Sequence, residues 1–146
     1  STLSSSSAAS DVYKRQAGGL GFAFLSYTNA VLESGVKIIL EETKLESFIK
    51  NADFVITGEG RLDGQTVMGK APIGVAEIAK KYEKKVLAFG GCVAEDATLC
   101  NQHGIDAFFP ILRTVTTLKE AMDFNHAKEN LSAAVEQVFR LIQSFE

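Results

Sequence analysis

The residues that most limit how this chain can fold are Asp53-Phe-Val-Ile-Thr-Gly-Glu-Gly-Arg-Leu-Asp-Gly-Gln-Thr-Val-Met-Gly-Lys-Ala-Pro72. An apolar run from Phe54 to Ile56 gives way to glycine, acids, arginine and amide, and a helical pattern opens after Gly69. This order reads as a strand ending near Thr57, a polar loop and a helix N-terminus. Pro72 suits the first helical turn, where its missing N–H would lack a partner anyway. In open α/β sheets, ligands occupy the crevice beyond the carboxyl ends of the strands. The loop so placed carries Glu59, Arg61, Asp63, Gln65, Thr66 and Lys70 among glycines, more reactive groups than a plain connection needs.

Downstream, Val75, Ile78, Ala79 and Tyr82 give one apolar helical face. Lys80, Lys81, Lys84 and Lys85 crowd its C-terminal end, where cations favour the helix dipole, and read as a solvated face. Val86 to Phe89 reads as a second buried strand closed by Gly90-Gly91, and Ala94 to His103 as a helix stopped by Gly104 in the left-handed conformation. Ala107 to Leu112, beside Pro110, reads as a third strand. Thr117-Leu-Lys-Glu120 has the form of a capping box, opening a last helix with a break near Asn125. Strand, helix, strand, helix, strand in short segments predicts an α/β fold with a Rossmann-like parallel sheet of three strands flanked by helices. Three strands are few for such a domain, so further strands are expected upstream.

Before this unit, Phe22, Phe24, Leu25, Ala30, Val31 and Leu32 predict a buried helix ending near Gly35. Val36, Ile39, Leu40, Leu45, Phe48 and Ile49 predict more helix, which should pack on another element. Residues 1–16 are Ser/Ala-rich and lack sustained periodicity. Their end, Asp-Val-Tyr-Lys-Arg-Gln16, resembles a translated transposase adapter used in DNA library preparation. A non-native or disordered leader, joined to a truncated gene, is therefore expected.

Composition excludes several function classes. The formal charge of -3 argues against nucleic acid or a membrane surface as partner. No apolar run reaches the roughly 18 residues of a spanning helix. The two cysteines, Cys92 and Cys100, are too few for a disulfide framework, and their spacing matches no common zinc pattern. A reduced, cytoplasmic compartment is expected.

The loop itself offers acid, base, cation and anion cradle. Gly58 and Gly60 would let backbone approach a ligand and take positive φ at little cost. Glu59 and Asp63 could share a divalent cation or leave one carboxylate as a base. Arg61 and Lys70 could hold carboxylate or phosphate, and the helix opening near Pro72 adds free N–H groups. Together these are the parts of phosphoryl transfer, which depends on positioning and charge neutralisation. Gly64 to Lys70 has the spacing of a P-loop, but Ala71 and Pro72 stand where Ser or Thr should meet magnesium, which argues against one. The plain alternative is that Glu59, Asp63 and Thr66 only close turns and cap a helix. Gly90-Gly91-Cys92 could border a nucleotide or simply turn the chain, and His103 and His126 read as surface or packing residues.

Thr57-Gly-Glu-Gly-Arg-Leu-Asp-Gly-Gln-Thr66, followed by Gly69-Lys-Ala-Pro72, resembles the signature of the bacterial glycerate kinase family, of the glycerate 2-kinase type. The Ala17-Gly-Gly-Leu-Gly21 opening and the Gly104-Ile-Asp-Ala107 strand start share that likeness. The resemblance implies an ATP-dependent phosphotransferase that passes the γ-phosphate to D-glycerate, mostly giving 2-phosphoglycerate, with Mg2+. It implies two α/β domains, one Rossmann-like and one inserted in it. This chain would then be a C-terminal fragment, with residues 17–50 the helical end of the inserted domain and 51–146 the return to the Rossmann-like one. Its likeness gives Asp63 or Glu59 the metal or the substrate proton, and Arg61 and Lys70 the carboxylate or transferring phosphate. Thr57, Gly58, Gly60, Gln65 and Thr66 would shape and hydrogen-bond the pocket. The competing readings are a non-catalytic Rossmann-like module binding nucleotide or anion, and a truncated chain held by its own core or as a homodimer.

Overall fold

The computed structural model describes residues 20–31 and 33–145, so the expected leader lies outside the described residues. The chain divides into two compact units, residues 1–34 and 35–146. In the first, the described residues form one helix, α1 (Leu20–Tyr27). It is not the buried helix that its composition predicts, because Leu20, Phe24 and Leu25 are exposed. Its apolar residues fall on all sides, and a helix apolar all round needs cover on every side to be buried.

The second unit runs α2 (Gly35–Glu42), α3 (Leu45–Ile49), β1 (Phe54–Leu62), α4 (Ala71–Lys81), β2 (Lys85–Val93), α5 (Leu99–Gln102), β3 (Ala107–Pro110), α6 (Leu118–Ala121) and α7 (Phe124–Gln143). Short 3-10 turns at Thr66–Met68 and Glu95–Thr98 precede α4 and α5. The strands form one parallel sheet in the order β1-β2-β3, with Phe54 opposite Lys85 and Leu87 opposite Ala107. This is the α/β, Rossmann-like arrangement that the alternation of elements predicts.

Helices cover both faces of the sheet. On one, Val55, Val86 and Ala88 pack with Ile73, Ala76 and Ala79 of α4, Ile49 of α3 and Cys100 of α5. On the other, Leu87 and Phe89 meet Val138 of α7, and Phe54 lies edge-on to Phe139 at 6.1 Å. Val86 to Phe89 are all buried, which is why β2 reads as a continuous apolar run rather than an alternating one. The helical segment before β1 does find a packing partner. Tyr82, at the end of α4, donates to Glu46 of α3 at 2.6 Å.

Several boundaries differ from the sequence reading. β1 does not end near Thr57 but runs to Leu62, and β2 runs through Gly90-Gly91 to Val93. The glycines are there because the two strands approach closely. A Cβ on Gly58 would collide with the Phe89 carbonyl, and one on Gly91 would lie 2.6 Å from the Gly60 carbonyl oxygen. β3 stops at Pro110, and the segment after Ala94 is a 3-10 turn before it is a helix. Gly104 does take the left-handed conformation, at φ 93. The capping box on Thr117 and Glu120 is present, but the helix it opens ends at Ala121. The break falls before Asn125, at Asp123, whose side chain caps α7 through the Asn125 and His126 amides. No helix among the described residues is long and apolar enough to cross a membrane.

Candidate functional site

The extension of β1 changes where the site residues stand. Glu59, Gly60 and Arg61 belong to the strand, and Asp63 is the first residue beyond it. Side chains alternate along a strand, so Glu59 shares the face of Val55 and looks toward the start of α4. The chain then turns back. Thr66 N–H donates to the Asp63 carbonyl at 2.9 Å, and Asp63 N–H donates to Thr66 Oγ1 at 3.1 Å. Gly69 at φ 91 ends the 3-10 turn and sets Lys70 as the N-cap of α4.

Lys70 returns over this turn to the acids. Its Nζ lies 3.4 Å from Asp63 Oδ1 and 3.8 Å from Glu59 Oε1. Arg61 Nε lies 3.3 Å from Asp63 Oδ2, and the Gln65 amide donates to Asp63 Oδ1 at 3.0 Å. The Thr66 hydroxyl donates to Glu59 Oε1. The side chains of Glu59 and Asp63 are 19% and 18% exposed, against 39% for Lys70 and 64% for Arg61. Two shielded acids thus meet two more open cations. Partial burial pushes the Asp63 carboxyl up, but Lys70, the Gln65 amide and Arg61 outweigh it and hold it below the ordinary carboxylate value.

Helix stability does not explain Lys70. Its side chain makes no capping bond, lysine has no acceptor to offer the first N–H groups, and its charge meets the positive end of the dipole.

The structure therefore brings Glu59, Arg61, Asp63, Thr66 and Lys70 together. It separates others from the roles their chemistry suggests. Thr66 is fully buried, so it cannot touch a ligand here. Gly58 and Gly60 do not take positive φ; among the described residues only Gly69 and Gly104 do so as glycines. Thr57, Gly58 and Glu59 line a groove of about 420 Å³ with Phe89, Gly91, Ile111 and residues of α7. Gln65 contributes its backbone. Lys80 is not merely solvated, since it bonds Asp106 and the Lys84 carbonyl.

Two neighbours escape a sequence reading. Asp96 follows the end of β2, and a Cβ on Gly64 would lie 2.5 Å from its Oδ2. Cys100 is buried under the turn, its Sγ 4.0 Å from the Asp63 carbonyl. Burial and the charges of Glu59, Asp63 and Asp96 push its thiol up. Asp96 stands at a strand's carboxyl end, the one signal that could have flagged it.

Among the described residues no group of three or more His, Cys, Asp or Glu side chains gathers to hold a metal by itself. Magnesium commonly takes one or two carboxylates and fills its shell with water and phosphate oxygens. Glu59 and Asp63, both hard oxygen donors, suit that arrangement.

Fold and site define a Rossmann-like α/β protein with a charged cluster at the carboxyl end of β1. A profile of the glycerate kinase family matches residues 7–143. The chain is 45% identical to a glycerate kinase of Bacillus subtilis (strain 168) over 122 residues, 84% of this chain and 31% of the relative. It is likewise 45% identical to a glycerate 2-kinase of Escherichia coli (strain K12) over 118 residues, 81% of this chain and 30% of the relative. A crystal structure from Salmonella typhimurium LT2, assigned as glycerate kinase 2, superposes with a TM-score of 0.61 at 36% identity, covering 89% of this chain and 32% of that one. The chain belongs to the glycerate kinase family. It spans about a third of the length of the relatives it matches.

Proposed function

We propose that this chain supplies part of a kinase site that transfers the γ-phosphate of ATP to D-glycerate, giving 2-phosphoglycerate and ADP. The observation that carries this reading is the convergence of Glu59, Asp63, Arg61 and Lys70 at the end of β1, in a chain of this family. Phosphoryl transfer needs charge neutralisation and positioning more than covalent chemistry, and the cluster offers both. Glu59 would hold Mg2+, which neutralises phosphate charge when bound. Asp63, at the mouth of the turn, would take the glycerate hydroxyl proton. Lys70 and Arg61 would exchange their carboxylate partners for the glycerate carboxylate or the transferring phosphate, beside the open N-terminus of α4.

The test joins this chain to the remaining two thirds of the E. coli relative and measures ADP release with ATP, Mg2+ and D-glycerate. Release that requires all three supports the reading. Anion or nucleotide binding without glycerate-dependent turnover would replace it with a non-catalytic binding module.

A further inference from the structure

We propose that Thr66 is a positioning residue whose buried hydroxyl fixes how Glu59 and Asp63 divide the work of the site. This rests on the kinase reading for its kinetic consequence, but not for its geometry. A hydroxyl has one proton to give. Thr66 Oγ1 accepts the Asp63 N–H at 3.1 Å, so that side of the oxygen is taken. Its proton points to Glu59 Oε1, which must therefore be an acceptor. The contact to Asp63 Oδ1, at 3.5 Å, lies at the limit of a hydrogen bond.

Glu59 Oε1 is thus held between the Thr66 hydroxyl and Lys70, and Asp63 Oδ1 between Lys70 and the Gln65 amide, while among the described residues Asp63 Oδ2 meets Arg61, the most exposed group of the cluster. Both acids hold Lys70, Asp63 through Oδ1 at 3.4 Å and Glu59 through Oε1 at 3.8 Å, but Thr66 gives its proton to Glu59, and Asp63 keeps Oδ2 on the side of the exposed Arg61. Thr66 reaches no solvent; its hydroxyl ties the turn to Glu59 of β1, and its amide closes the turn on the Asp63 carbonyl. Its loss would leave Glu59 and the Asp63 amide without their partner at once.

The test compares Thr66→Ser, which keeps the hydroxyl, with Thr66→Val and Thr66→Ala, which remove it, all in the joined enzyme. Two quantities are read: hydrogen exchange at the Asp63 amide, which needs no turnover, and kcat against KM. Thr66→Ser should match the parent in both. Thr66→Val should speed Asp63 exchange and lower kcat about 10- to 100-fold, the scale of a small misplacement of catalytic groups, with KM for ATP little changed. Thr66→Ala is the second reading of the same loss should the valine variant fail to fold. Unchanged exchange in the folded variants would overturn the geometry. A raised KM at constant kcat, unchanged kinetics despite faster exchange, or an equal loss in Thr66→Ser would overturn the positioning role. If the parent releases no ADP, the kinase reading fails by itself and the exchange measurement alone judges the hydrogen-bond network.

Discussion

Lys70 and Lys80 stand at the two ends of α4, each paired with an aspartate near a strand terminus, and their surroundings differ. Lys80 lies in the last turn, where a cation favours the dipole. It donates to Asp106 and to the Lys84 carbonyl at 3.0 Å, and Asp106 Oδ2 also accepts the Val86 amide at 2.7 Å. Burial pushes the Asp106 carboxyl up, but Lys80 and the Val86 amide outweigh it and hold it low. These bonds tie the end of α4 to the amino ends of β2 and β3, and the Lys80 charge is spent on Asp106. Lys70 sits at the opposite pole, against the dipole, giving its helix no side-chain cap and shared between two acids. The same pairing chemistry thus ties strands to a helix at one end and gathers two acids and two cations at the other.

The largest expected effect separates the two aspartates. Asp63→Asn should lower kcat by at least about 100-fold, the lower end of general-base effects, while thermal midpoint stays near the parent's. Asp106→Ala should do the reverse. It strands the Val86 amide and Lys80 and should cost about 1–3 kcal/mol in a denaturant titration, with kcat unchanged. Near-normal turnover in Asp63→Asn would erase the contrast.

A smaller effect tests a carboxylate outside both ends. Bonds from the Thr117 amide and hydroxyl, with the Thr116 hydroxyl, draw the Glu120 carboxyl from an ordinary 4.5 to about 2. Because the folded value is depressed, the cap's support of α6 is complete above about 4.5 and fades as pH falls toward about 2. The Thr117 amide resonance should follow that window. Loss of the cap at a higher pH would show that the bond is not held in solution.

Much of this architecture could be read from residues alone. Pro72, Gly104 and the Thr117–Glu120 box mark helix ends by local chemistry, and each acts where its chemistry places it. The strand ends were not legible. Glycine reads locally as a stop, whereas Gly58 and Gly91 sit mid-strand because a neighbouring strand leaves no room for a Cβ. The site shows the same division. Its ionic groups lie within one stretch and could be named, but the burial of Thr66 depends on packing against distant elements, and Asp96 reaches Gly64 from the next strand's exit. The Asp123 cap is not legible in this way, because the acid directly precedes the helix inside a run whose pattern is helical on both sides.

The most direct measurement sets Lys70→Met against Lys80→Met in the joined enzyme, reading glycerate-dependent ADP release and thermal midpoint on the same samples. The account predicts that Lys70→Met loses turnover and keeps its midpoint, while Lys80→Met keeps turnover and melts earlier. If Lys70→Met turned over glycerate at the parent's rate, or if both variants lost activity only in step with stability, the cluster at the end of β1 would be architecture like the one at the other end of α4.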